Sequence, residues 1–129
     1  MTGGLRSGTD VVSVARIARL VSIDRGRTRV FRPDEQKRCD ASGSPEEEYA
    51  RLWAVKEAVL KALGVGWSGG ISWTDVGVTR RGWAYEVKLE GEAARKAEEM
   101  RVNHWSVSAD STPELAVATA LVTTGEKST

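Results

Sequence analysis

The run Ser44-Pro-Glu-Glu-Glu-Tyr-Ala-Arg-Leu-Trp-Ala-Val-Lys-Glu-Ala-Val-Leu-Lys-Ala-Leu-Gly64 dictates one long helix, around which the rest of the chain must pack. Pro45 fits the first helical position, where the backbone N–H has no partner in any helix. Ser44 and Glu47 have capping-box spacing. The carboxylates of Glu46, Glu47 and Glu48 meet the positive end of the helix dipole. Gly64 suits the left-handed position just past the last turn. The helix is therefore expected over Pro45 to Leu63.

With about 100° per residue, Leu52, Trp53, Val55, Val59, Leu60 and Leu63 fall on one broad apolar face. Ala54, Ala58 and Ala62 make a shallow face that another backbone can approach closely. Glu57 and Lys61 sit between the two, four apart and side by side, which on its own describes an ordinary surface ion pair. Lys56 lands within the apolar face, where a lysine must snorkel or meet an anion.

Around this helix the expected elements are short. Leu5 to Val12 reads as a strand interrupted by Gly8. Ser13 can cap a helix whose inner face is Val14, Ile17, Ala18 and Val21. Arg16 and Arg19 lie off that face and point outward together. Arg25 to Arg29 reads as a basic loop, and Pro33 opens a short helix near Asp34 to Asp40. Gly64 to Gly70, with Trp67 inside it, is a glycine-rich loop but no P-loop: it follows a helix and lacks Gly-Lys-Ser/Thr. Ser72 to Thr79 and Ala84 to Leu89 form a hairpin turning near Arg81-Gly82. Glu92 to Met100 is a short helix. His104 to Ala109 and Leu115 to Val122 are a second strand pair. The implied architecture is α+β, a mainly antiparallel sheet packed with one long and several short helices. Residues 1–123 are expected to form one domain and 124–129 a loose tail. The chain has 129 residues, 40% of them hydrophobic. A chain of that size buries roughly two thirds of its unfolded surface, so a core forms without staples.

A net charge of +1 argues against a partner held mainly through nucleic acid phosphates. Between Arg16 and Arg38, however, eight basic residues stand against three acids. That stretch is either a solvated face or a docking surface for an acidic partner. Cys39 is the only cysteine, so no internal disulfide and no Cys/His zinc cluster can form, which fits a reducing compartment. No signal-peptide run and no membrane-length apolar stretch is present. A cytoplasmic protein without a membrane partner is expected. The five tryptophans, Trp53, Trp67, Trp73, Trp83 and Trp105, read as core or interface anchors. Cys39 reads as an inert small residue.

Asp10 lies among valines where a strand gives way to a helix. It either caps the helix or bonds the backbone, or else it joins Glu57 in a site. Two carboxylates from separate elements, with lysines nearby, suit magnesium and phosphate, because magnesium takes one or two carboxylates and completes its shell with water and phosphate oxygens.

Gly8-Thr-Asp-Val-Val-Ser-Val-Ala-Arg-Ile17 resembles the first motif of phosphopantetheinyl transferases of the small holo-acyl carrier protein synthase type. Trp53-Ala-Val-Lys-Glu-Ala-Val-Leu-Lys-Ala-Leu-Gly64 resembles the second, at similar spacing, and Phe31-Arg-Pro-Asp-Glu35 is similar to a third segment. Ser72-Trp-Thr-Asp-Val76 and Trp105-Ser-Val-Ser108 match later strands more loosely. The resemblance implies a 4′-phosphopantetheinyl transferase-like fold. It implies a Mg2+-dependent transfer of the phosphopantetheine arm of coenzyme A to a serine of an apo-acyl carrier protein, with release of adenosine 3′,5′-bisphosphate. Asp10 and Glu57 would hold the metal. Lys61 would contact phosphate or help remove the serine proton, and Lys56, Gly64 and Ser108 would contact coenzyme A. Arg16 and Arg19 would face the carrier protein. A homotrimer with the site between subunits is also implied. The pattern departs at two places. Ser106 and Ser111 stand where histidines are expected, and Leu52 stands where an arginine is expected, with Arg51 one place earlier. The alternative these departures raise is a catalytically weakened homologue that binds carrier protein or coenzyme A.

Overall fold

A computed structural model describes residues 3–66 and 70–125. Its elements are β1 (Gly4–Ser13), α1 (Val14–Val21), α2 (Asp24–Val30), α3 (Pro33–Ala41), α4 (Pro45–Leu63), a 3₁₀ turn at Trp73–Asp75, β2 (Val76–Arg81), β3 (Ala84–Leu89), α5 (Gly91–Glu99), β4 (Val102–Ser111) and β5 (Leu115–Thr124). The five strands form one antiparallel sheet in the order β1-β5-β4-β3-β2. The expected α+β architecture is what forms.

One face of the sheet carries the core. Ala116, Ala118, Ala120 and Val122 alternate inward along β5 and pack beneath α4, whose Leu52, Val55, Val59, Leu60 and Leu63 are buried. The alanine face of the long helix does what its shallowness allows. Ala54, Ala58 and Ala62 are fully buried, and β1 crosses them at Gly8. A Cβ on Gly8 would lie 2.0 Å from the Ala58 carbonyl oxygen and 2.7 Å from the Ala62 nitrogen. No side chain fits there, so the glycine does not interrupt the strand; it lets β1 lie directly on the helix. β1 is continuous, and Gly8 pairs with Ala120.

The helix ends follow the sequence closely. Ser13 accepts from the Arg16 N–H at 3.2 Å and starts α1. Gly64 takes φ 74° and closes α4. Ser44 differs from a true capping box: its hydroxyl donates to the Glu47 carboxylate at 3.0 Å rather than accepting from the backbone. Three other boundaries also differ. Arg25 to Arg29 is helical, because Asp24 opens the turn and pairs with Arg27 at 2.6 Å. Ser72 to Asp75 is a 3₁₀ turn rather than strand, since the Asp75 carboxylate accepts the Ser72 N–H. β5 runs two residues past Val122, and Thr124 pairs with Gly4 and Val102, so the first residue of the expected tail is held in the sheet. Trp67 and residues 126–129 lie outside the described residues.

Among the described residues, the opposite face of the sheet is left uncovered. Leu5, Val11, Leu115, Val117 and Leu121 are exposed on it.

Candidate active site

Strand alternation puts Arg6, Gly8 and Asp10 on the face of β1 that meets α4. Arg6 Nε donates to the Ala62 carbonyl at 2.7 Å. Two residues further, Gly8 makes the close contact described above. After another two, Asp10 meets Lys61. The Lys61 ammonium donates to Asp10 Oδ1 and to the Thr9 carbonyl, each at 3.0 Å. The Asp10 side chain is only 14% exposed, whereas Lys61 is 51% exposed. Glu57 lies one turn before Lys61 and Trp53 one turn before that, so Trp53, Glu57 and Lys61 form a stripe along α4. Trp53 stacks on Trp73 with centroids 4.2 Å apart and closes the stripe on one side. The structure therefore brings Asp10 and Lys61 together at a seam between β1 and α4, with Glu57 one helical turn before Lys61.

Lys56 is not part of it. Its side chain is fully buried, and its ammonium meets an anion from within the protein: Glu35 Oε1 at 3.0 Å. It also donates to the carbonyls of Val76 at 2.5 Å and Trp73 at 3.2 Å. These three acceptors occupy its three protons, so the expectation that Lys56 contacts phosphate is corrected. Burial pushes the ammonium below the ordinary lysine value, and Glu35 pulls it back. Glu35 in turn accepts the N–H of Arg32 and of Val78, both at 2.8 Å. The pair thus ties α3, α4, β2 and the 3₁₀ turn together.

Ser108 sits on the outer face of the sheet, paired with Thr119 and exposed, away from the seam of its own chain. Gly64 lies at the end of the seam beside Arg6. Arg16 and Arg19 are exposed on α1, which leaves directly from the strand carrying Asp10. Ser106 faces outward, and His104 is exposed.

The two departures from the family pattern touch each other. Arg51 Nη1 hydrogen-bonds the Ser111 hydroxyl, which donates to Glu47 Oε1 at 2.8 Å. Arg51 also pairs with Glu48 at 2.5 Å, and Arg80 reaches the same carboxylate at 2.9 Å. The hydroxyl of Ser111, then that of Ser44, holds the Glu47 carboxyl below the ordinary carboxylate value. A carboxylate lowered in this way adds stability above its unfolded value, and the contribution is lost as pH falls through the folded one. Ser111→Ala is expected to lower the melting temperature at neutral pH, with the difference from the parent shrinking well below the carboxylate range. Thermal unfolding across pH checks this; a difference that is constant with pH would remove Glu47 from the account.

Of the tryptophans, Trp53, Trp73 and Trp105 pack against the core, but Trp83 at the β2–β3 turn is 93% exposed and anchors nothing in the chain. Cys39 is fully buried, and its thiol is pushed well up by that burial. Arg6 and the Glu35–Lys56 junction are the groups that sequence reasoning passed over. The period-2 alternation from Asp10 back to Arg6 was the available signal for the first.

An antiparallel five-stranded sheet crossed by one long helix is the architecture this chain shares with solved holo-[acyl-carrier-protein] synthases. The structure of holo-[acyl-carrier-protein] synthase from Neisseria meningitidis superposes with a TM-score of 0.80 at 27% identity, covering 91% of this chain and 96% of that one. The Helicobacter pylori enzyme in complex with coenzyme A superposes with a TM-score of 0.75 at 28% identity, over 90% of this chain and 98% of that one. The chain belongs to the 4′-phosphopantetheinyl transferase superfamily, whose sequence pattern matches residues 6–120. It is 37% identical over 116 residues to the holo-[acyl-carrier-protein] synthase of Hydrogenovibrio crunogenus, covering 86% of this chain and 90% of that protein.

Proposed function

We propose that this chain is a holo-[acyl-carrier-protein] synthase, working at the Asp10–Lys61–Glu57 seam. The observation that carries this is the seam's position beside Gly8, where β1 lies directly on α4, within the span that matches the family. In the reaction the serine oxygen of the carrier bonds to the pantetheine-side phosphorus of coenzyme A. The bond from that phosphorus to the bridging oxygen breaks, adenosine 3′,5′-bisphosphate leaves, and the serine proton is released.

The donor set suits magnesium. Asp10 and Glu57 would supply hard oxygen ligands, of the kind magnesium takes one or two of. The Lys61 ammonium already rests between two oxygens, Asp10 Oδ1 and Thr9 O, which marks that corner as a place for positive charge. When bound there, the metal supplies charge neutralisation for the diphosphate. Asp10 and Glu57 would hold the metal, and Lys61, half-exposed and on a flexible stem, would contact the phosphate.

Ser108 and the bare outer face fit a second element of the reading. Ser108 points away from its own seam, so it would serve only the seam of a neighbouring copy. Val11, Leu115 and Val117 on that face line a shallow cavity of about 230 Å3 with Asp110. A homotrimer that buries this face and shares its sites between subunits satisfies both, and light scattering of the purified protein tests it. Among the described residues no helix is long and apolar enough to cross a membrane. The buried, unpaired Cys39 suits the reducing cytoplasm, where we place the reaction.

The deciding experiment mixes the protein with coenzyme A, magnesium and several apo-carrier proteins and weighs the carriers. A gain of the phosphopantetheine mass with matching adenosine 3′,5′-bisphosphate is expected. No gain on any carrier, with magnesium or manganese, would sink the reading. Binding of carrier or coenzyme A without product would instead favour the non-catalytic homologue that Ser106 and Ser111 suggest.

Arg16 and Arg19 are assigned to the carrier. Arg16→Glu is expected to raise the KM for carrier by roughly tenfold at low salt and by less at high salt, with the KM for coenzyme A unchanged, because rim charges steer encounter and are screened. An unchanged carrier KM at low salt removes Arg16 from the docking face.

A further inference from the structure

Trp53 stands one turn before Glu57 on α4. Side chains on a helix lean back toward its N-terminus, so the stem of Glu57 is directed over the turn that carries Trp53. The Trp53 indole therefore bounds the space in which the Glu57 carboxylate can swing. That indole is itself held. Trp73 stacks on it at 4.2 Å with 27° between the planes, and both rings are half-buried against the core. Trp73 comes from the 3₁₀ turn, where the Asp75 carboxylate accepts the Ser72 N–H at 3.1 Å and the Asp75 carbonyl accepts the Glu90 N–H at 2.8 Å. A further bond ties this turn to α4: the Lys56 ammonium donates to the Trp73 carbonyl at 3.2 Å. Lys56 is fully buried and is fixed in turn by Glu35 at 3.0 Å. A chain of contacts thus runs from Glu35 through Lys56 and Trp73 to Trp53, and ends one turn from Glu57.

Resting on the assignment of Glu57 to the metal, we propose that Trp73, anchored by the Glu35–Lys56 pair, is a positioning residue that pins Trp53, keeps the Glu57 carboxylate toward Asp10 and so sets the affinity of the site for its divalent cation. Glu57 comes from a helix and Asp10 from a strand, so a cation shared between them binds best when both carboxylates are placed before it arrives. Asp10 is placed in advance by its bond to Lys61 at 3.0 Å. For Glu57 the pinned indole does the same by closing off the other direction. If the indole were free to change rotamer, the carboxylate would have to be ordered at each binding event, and affinity would fall by that cost. A buried ion pair is weak evidence for stability, and in some proteins it is retained for the arrangement it specifies. The arrangement specified by Glu35 and Lys56 is the place of Trp73 over the stripe. Neither Lys56 nor Trp73 is assigned contact with the reacting atoms.

The test compares three variants with the parent. Trp73→Phe keeps a ring to stack and Trp73→Ala does not. The double variant Lys56→Met/Glu35→Gln takes the donor from the Trp73 carbonyl without burying a charge. Two stacked indoles couple and give a paired positive and negative band in circular dichroism. The parent should show this couplet, both Trp73 variants should lose it, and the double variant should show it weakened. Mn2+ binding is followed by electron paramagnetic resonance with coenzyme A present, and turnover is measured against Mg2+ concentration. In Trp73→Ala and in the double variant Mn2+ is expected to bind roughly fivefold more weakly, the scale of one aromatic pair. Half-maximal turnover should need more Mg2+ by the same factor, while kcat at saturating Mg2+ and the KM for carrier match the parent. Trp73→Phe should bind Mn2+ nearly as the parent does. If the buried pair served stability alone, the double variant would regain Mn2+ binding along with its stability. That result, or parent-like Mn2+ binding in Trp73→Ala, or a parent that binds no Mn2+, overturns the proposal. Should Trp73→Ala fail to fold, the double variant carries the same comparison. If the parent binds Mn2+ but transfers nothing to any carrier, the functional reading fails, while the couplet and the Mn2+ titration still decide the role of Trp73.

Discussion

Asp10→Ala and Glu57→Ala will each lower the rate of phosphopantetheine transfer by about 10³-fold, on the scale of losing one fixed electrostatic contact to developing charge. The fold will survive both changes. Asp10 lies on the edge strand, and its partner, Lys61, is half-exposed. An ion pair of that kind adds little to stability. Glu57 is half-buried on the same stripe of α4 as Lys61, and the core cluster is built of other residues. The two losses will also be strongly non-additive, since a metal held by two carboxylates is released by removing either. Steady-state transfer assays with a folded-state check by circular dichroism measure this. Turnover within a few fold of the parent in either variant would remove the carboxylate pair from the chemistry.

The second large effect lies one residue away and is of the opposite kind. Lys56→Met leaves the Glu35 carboxylate fully buried with no cation, and breaking a buried pair from one side costs about 3–5 kcal/mol. That is a large share of the roughly 5–15 kcal/mol that holds a domain folded. Glu35→Gln strands the ammonium instead, and burial without its anion drives Lys56 further toward the neutral form. The double variant Lys56→Met/Glu35→Gln buries no charge, and the new amide oxygen still accepts one of the two backbone N–H groups that Glu35 served. It is expected to recover most of the loss. Urea unfolding of the three variants gives the coupling. A Lys56→Met midpoint equal to the parent's would show that Glu35 is satisfied by the Arg32 and Val78 N–H groups alone.

These neighbours illustrate what the amino-acid order conveys and what it hides. The long helix, its ends and the face each residue takes were readable because capping chemistry and helical period act locally. The placement of Glu57 beside Lys61 followed from the same period. The fate of Lys56 did not: the wheel put it among apolar side chains and required an anion or an escape. Which anion depended on Glu35, a contact between α3 and α4 that no local rule specifies. Asp10 was readable as a carboxylate in need of a partner, but its meeting with Lys61 depends on Gly8 admitting the helix, again a tertiary fact. Arg25 to Arg29 was misread because charge was taken as a sign of loop, although Asp24 at the first turn offered a helix start. Ser111 was noted for what it replaced, whereas the structure shows it bonded to the shifted Arg51.

The position of β1 in the sheet bears on how the protein is made. β1 is an edge strand whose sheet partner is β5, so Asp10 is held on α4 between a helix from the middle of the sequence and a strand from its far end. Pairings so distant in sequence form late, after their loop-closure entropy has been met. On the ribosome, α4 and the hairpins can take shape as they emerge, but residues 4–13 must wait with their edge unpaired until residue 124 is clear. The Asp10–Lys61 seam is therefore completed last, and a nascent chain is expected to stay inactive until the whole sheet has closed.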